Sequence, residues 1–141
     1  MRGIATDGLR ARRLGPLAWV LPDEGNVYAD ALLDRLIAEG AVVPPIWPLE
    51  VGNVLLVALR RGRIRREELE AMVEQLTHLP IEVDLEATDH ALAGVLVLAA
   101  QHGLTTYDAA YLDLAQRRNL PLATLDDRLR GACTTAKLEL L

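Results

Sequence analysis

The sequence predicts an α/β domain built on a short parallel sheet, and three observations carry that expectation. Brief apolar runs such as Ala41-Val-Val43 and Leu120-Pro-Leu-Ala123 alternate with longer stretches of helical period. The connections between these runs are too long for hairpins and read as helical crossovers, which join parallel strands. The 141 residues make one domain's worth of chain, and 51% apolar with 25% charged residues suits a packed core, not a disordered segment. There is no Phe, so Leu, Val, Ile and Ala must build that core.

In chain order, Ile4-Ala-Thr6 reads as a first strand followed by Asp7, and residues 8–16 read as irregular and basic. Leu17-Ala-Trp-Val-Leu21 ends at Pro22, and Asp23 opens a helix to about Ala38. Its Val27, Ala31, Leu32, Leu36 and Ile37 make one apolar stripe, and Gly40 stops it. Ala41 to Val43 is a strand closed by Pro44-Pro45. A helix runs from about Pro48 to Arg61, with Pro in the first turn and apolar residues around nearly its whole circumference. It is expected to be buried on more than one side. Arg66 to His78 is an amphipathic helix with Leu69, Met72, Val73 and Leu76 on one face, and Ile81-Glu-Val83 is a further strand. Leu85 to His102 reads as one continuous apolar helix ended by Gly103. Leu104 to Leu129 reads as helix, buried strand, helix, and Leu138-Glu-Leu140 as a last edge strand.

A net charge of −5 argues against nonspecific nucleic-acid binding over the whole surface. The arginines are nevertheless clustered, at Arg10, Arg12 and Arg13, at Arg60 to Arg66, and at Arg117, Arg118, Arg128 and Arg130. Such clusters read equally as local phosphate contacts and as solvated helix ends. The single Cys133 makes no internal disulfide and reads as a small helix residue in a reducing compartment. The longest apolar run, Ala91 to Ala100, is shorter than the roughly 20 residues a membrane helix needs. With no convincing signal peptide, the expected location is cytoplasmic. His78, His90 and His102 read as helix-end or surface residues.

The residues that carry chemistry are acids at the joints. Asp7, Asp108 and Asp126 flank strand-like segments, and Glu50 lies in the first turn of a buried helix. In open α/β sheets ligands sit beyond the carboxyl ends of the strands, where helix N-termini also gather. Each acid has a purely structural reading too: Thr105 to Asp108 and Thr124 to Asp127 have capping-box spacing, and Glu50 sits where a helix N-terminus favours negative charge. Taken together, four carboxylates converging on one edge repel one another unless a cation neutralises them. Hard oxygen ligands suit Mg²⁺ or Mn²⁺, and no His/Cys set has zinc spacing. Such a site activates water and stabilises the oxygens of an in-line phosphoryl displacement.

At these residues the chain resembles a known family. Trp47-Pro-Leu-Glu50-Val-Gly-Asn53, Leu104-Thr-Thr-Tyr-Asp108-Ala-Ala-Tyr-Leu-Asp-Leu-Ala115 and Leu122-Ala-Thr-Leu-Asp126 are similar to the successive acidic motifs of PIN-domain ribonucleases, in particular the VapC-like toxins of prokaryotic toxin–antitoxin pairs. Leu17 to Glu24 adds to the match. The resemblance implies a single PIN-like three-layer α/β/α domain over residues 1–141, with residues 1–16 a divergent N-terminus. It further implies a Mg²⁺- or Mn²⁺-dependent endoribonuclease that cleaves RNA phosphodiesters, is blocked by a cognate antitoxin and forms a homodimer. On that basis Asp7, Glu50, Asp108 and Asp126 are the metal ligands and catalytic acids. Thr124 is a supporting hydroxyl that orients a carboxylate or water, and Asp127 assists Asp126 or caps its helix.

The departure from the family is at the front. Counting back from Trp19 without a gap, the family's first Asp falls on Arg12, whose guanidinium would oppose a divalent ion. Asp7 takes that place only with a short insertion between Gly8 and Leu14. The alternative expectation is therefore a catalytically inactive PIN-like module that binds an antitoxin or another protein.

Overall fold

A computed structural model of the chain describes residues 5–6, 27–124 and 126–141. The sheet has four short strands, β1 (Ala5–Thr6), β2 (Ala41–Val43), β3 (Ile81–Val83) and β4 (Leu122–Ala123), in the order β3-β2-β1-β4. Every pairing is parallel, as the crossover lengths require. The expected edge strand at Leu138 to Leu140 contracts to an isolated parallel bridge between Leu122 and Leu140. The helix of residues 127–135 ends just before it, and Lys137 turns the chain with a φ of 58°.

The helices are α1 (Val27–Glu39), α2 (Trp47–Arg60), α3 (Arg66–His78), α4 (Ala87–His90), α5 (Leu96–His102), α6 (Thr106–Arg118) and α7 (Asp127–Thr135). The expected start of α1 at Asp23 lies outside the described residues, as do the Leu17 to Glu24 segment, Asp7 and Arg12. Leu122 and Ala123 are consecutive in a strand and so face opposite ways. Ala123 and Ala41 pack with Leu32 and Leu36 of α1, while Leu122 belongs to a larger cluster drawn from α2, α3, α6 and α7. The result is a three-layer α/β/α arrangement.

Three expectations are corrected by packing. The single helix over residues 85–102 is α4 and α5 joined by a π-helical turn, Ala91–Val95. The wider turn carries an extra residue and so rotates the register of α5 by about 100°. Val95 and Ala99 are buried, against Ala109 of α6, and Leu92, Leu96 and Val97 are left exposed. Secondly, α2 buries a single stripe, Trp47, Val51, Leu55 and Ala58, with Leu49 and Leu56 exposed. On α3, finally, Met72 is buried but Val73 faces solvent.

Burial on all sides belongs instead to α6. Tyr111, Leu112, Leu114 and Ala115 are fully buried, and Asp108 and Asp113 are nearly so. Gly103, with a φ of 62°, ends α5, and Thr105 restarts the chain as the cap of α6. Glycine reaches that left-handed conformation without steric cost. Asn119 ends α6 in the same conformation, which Asn tolerates better than most residues.

A helix sunk this deep needs partners for its charges. Arg117 of α6 pairs with Asp84, fully buried after β3, and with Asp113 one turn back at 2.7 Å. Arg118 pairs with Glu82 at 2.8 Å and lies 3.6 Å from the other Asp84 oxygen. Burial disfavours the Asp84 anion, but the hydrogen bond and charge of Arg117, with the charge of Arg118, outweigh it and hold the carboxyl below its usual range. A carboxyl so held contributes stability above the ordinary Asp value of about 3.9 and loses that contribution as pH falls through its folded value. Urea midpoints should therefore drop on acidification below about pH 4, and Asp84→Asn should flatten that acid limb. Arg117→Met, which strands two buried carboxylates, should cost about 3–5 kcal/mol in urea unfolding at neutral pH.

Candidate functional site

The parallel sheet sets the strands that precede the acids side by side. β1 lies between β2 and β4, so the carboxyl ends of these strands are neighbours. Glu50 lies in the first turn of α2, which comes after β2, and Asp126 stands directly after β4 as the N-cap of α7. Asp108 sits in the first turn of α6 and is 8% exposed. Asp7, placed next after Thr6 by sequence, lies outside the described residues.

Local chemistry fixes each acid. The Thr105 hydroxyl caps α6 by accepting from the Asp108 backbone N–H at 3.1 Å, so the Asp108 carboxylate is not the cap. Asp126 caps α7, its Oδ1 accepting from the Leu129 N–H at 2.9 Å. Its own N–H donates to the buried Thr124 hydroxyl at 3.0 Å, so Thr124 braces the turn that carries Asp126. The capping role expected of Asp127 belongs to Asp126; Asp127 is the exposed first helical residue. Glu50 is half-buried and accepts a hydrogen bond from the Tyr111 hydroxyl at 3.0 Å. That bond ties α2 to α6, one turn beyond Asp108.

Among the described residues no three His, Cys, Asp or Glu side chains form a metal-holding group. Glu50, Asp108 and Asp126 therefore do not make such a group by themselves. The chemistry of the set still fits a hard divalent cation: every candidate donor is a carboxylate or hydroxyl oxygen, with no thiol or imidazole among them. His78 is exposed and bonds the Glu74 carbonyl through Nδ1 at 2.7 Å.

The basic clusters divide. Arg117 and Arg118 are committed to the acids around β3, whereas Arg60, Arg61, Arg63 and Arg66 are exposed on and after α2. Arg130 reaches back from α7 and donates to the Thr124 carbonyl at 3.1 Å. An apolar hollow of about 360 Å³ opens beside the start of α6, lined by Pro44, Ile46, Leu92, Val95 and Tyr107.

Two features of this region are not legible in the sequence. Spacing places Tyr111 in an apolar stripe and carries no sign of its hydroxyl's partner. The pairing of Asp84 with Arg117 is equally invisible there, although Asp113 and Arg117 stand at the i, i+4 spacing of a helical ion pair.

Comparison with known proteins bears on the family and the fold. The pattern of the family described as PIN domain matches residues 16–133. The chain is 38% identical over 112 residues to Ribonuclease VapC3 of Pyrobaculum aerophilum, covering 79% of this chain and 84% of that protein. It is 29% identical over 124 residues to Ribonuclease VapC1 of Mycobacterium tuberculosis, covering 78% and 91%. Two crystal structures share the fold. PAE2754 from Pyrobaculum aerophilum has a TM-score of 0.59 at 23% identity, over 93% of this chain and 79% of that one. FitAcB from Neisseria gonorrhoeae has a TM-score of 0.63 at 19% identity, over 98% and 96%.

The local roles make a separable prediction. Asn caps a helix about as well as Asp, so Asp126→Asn should change stability by less than about 0.5 kcal/mol, while Asp126→Ala should cost about 1 kcal/mol. Thermal unfolding of the two variants reads the cap alone, and any further loss in Asp126→Asn belongs to the carboxylate's charge.

Proposed function

The chain belongs to the PIN-domain family, and on that premise we propose that it is an endoribonuclease toxin of a toxin–antitoxin pair, cleaving RNA at a Mg²⁺- or Mn²⁺-dependent acidic site. The observation that carries the reading is the Tyr111–Glu50 hydrogen bond, which links the acid of α2 to the helix that presents Asp108. Asp126 follows the neighbouring strand β4, and Asp7, next after Thr6 in sequence, is the fourth ligand proposed. The identity to proteins named as VapC ribonucleases supports the same reading.

In this site Glu50, Asp108 and Asp126 hold the cation with Asp7, and Thr124 keeps the Asp126 turn in place. A bound divalent ion supplies an activated water and charge stabilisation at the phosphoryl oxygens. The chain's own contribution is orientation: the Tyr111 hydroxyl holds the Glu50 carboxylate and the Leu129 N–H holds that of Asp126. The exposed arginines after α2 offer phosphate contacts to the RNA, which is the usual use of such a cluster. The antitoxin and the second copy of a homodimer need apolar surface, and exposed Leu85, Leu92, Leu96 and Val97 supply it.

One observation favours a second reading. Since the described residues hold no three-carboxylate group, a catalytically silent module that binds its partner protein is the alternative. Mn²⁺ calorimetry and cleavage of a mixed RNA pool separate the two. The wild type should bind Mn²⁺ and cut RNA, and Asp108→Asn should lose binding and lower cleavage more than about a hundredfold, the scale of removing one electrostatic stabiliser from a site. An Asp108→Asn protein that cuts RNA normally would sink the proposal. A wild type that binds no Mn²⁺ would establish the silent module instead.

A further inference from the structure

The proposed chemistry uses Asp108 from the motif Leu104 to Ala115, and from the same motif Tyr111 touches the acid of α2. That side chain is fully buried in the main core cluster, yet its hydroxyl donates to Glu50 Oε1 at 3.0 Å. A carboxylate only accepts, so the direction of the bond is fixed. Tyr111 lies three residues after Asp108 on α6 and therefore on the same face of the helix. The partner it reaches is 61 residues away in sequence, on α2.

We propose that Tyr111 is a positioning residue that presets the Glu50 carboxylate for a divalent cation, an inference that rests on the metal-dependent reading above. Glu has three side-chain torsions, and ordering a long side chain at the moment of metal binding weakens affinity. The phenol ring is locked by packing, so the bond orders Glu50 before the ion arrives. A neutral donor suits this task better than a cation. Lys or Arg at this position would orient the carboxylate equally well, but its charge would compete with the metal. Hydrogen bonds of this outer kind orient metal ligands and tune their affinity.

The test compares Tyr111→Phe, which removes only the hydroxyl, with the wild type, Glu50→Asp and the double variant. Each is titrated with Mn²⁺ in a calorimeter at one fixed pH, and each is melted without metal. Tyr111→Phe should weaken Mn²⁺ binding by about tenfold or more, the scale seen for such supporting groups. Its metal-free melting temperature should stay within a few degrees of wild type. In the Glu50→Asp background, where the shortened carboxylate no longer meets the hydroxyl, the same substitution should change affinity by less than about twofold, because the two residues act as a coupled pair. Equal losses in both backgrounds would reduce Tyr111 to general packing and overturn the inference. Should Glu50→Asp bind no Mn²⁺, the single substitution decides: weakened binding with unchanged melting supports positioning, and unchanged binding refutes it. Binding that Asp108→Asn abolishes but Tyr111→Phe leaves intact overturns this inference alone. A wild type without Mn²⁺ binding overturns the metal-dependent reading beneath it.

Discussion

The burial of α6 is the constraint on which the rest of the structure depends, and the Asp84–Arg117–Asp113 group is what makes it tolerable. A helix with Tyr111, Leu112, Leu114 and Ala115 fully enclosed contributes much apolar burial, yet it also carries charges into the interior. Charges so placed must be paired and hydrogen-bonded, since one left alone costs several kcal/mol. Arg117 answers with a planar fork that serves two carboxylates, one on its own helix and one after β3. The pairing anchors α6 to the β3 side of the sheet. Arg118 extends the contact to Glu82.

The two ends of α6 are held by different kinds of bond. At the C-terminal end cations are spent on acids, and the helix dipole favours positive charge there. Towards the N-terminal end the acids meet neutral donors: Tyr111 to Glu50, Leu129 N–H to Asp126, and the Thr124 hydroxyl beneath the Asp126 turn. The first arrangement neutralises charge and holds the fold. The second fixes the geometry of Glu50 and Asp126 through hydrogen bonds.

The packing of α4, the π turn and α5 against α6 adds a surface consequence. Val95, Ala99 and Ala109 are small enough to let the helices approach closely. Leu92, Leu96 and Val97 then face outward, and Leu92 lines the apolar hollow at the start of α6. Apolar content that reads in sequence as core is therefore surface.

The sequence by itself determined the α/β class, most helix and strand positions, and the acids Glu50, Asp108 and Asp126 at their joints. These are local properties: the 3.6-residue period, the punctuation of Pro44-Pro45 and Gly103, and the cap at Thr105 are written within a few residues of where they act. The tertiary structure alone decided the strand order, which side of each helix is covered, the π turn, and which polar groups meet. Tyr111 and Glu50 are 61 residues apart and Arg117 and Asp84 are 33 apart. No periodicity records such a pairing, because its partners are chosen by how layers pack and not by the chain between them.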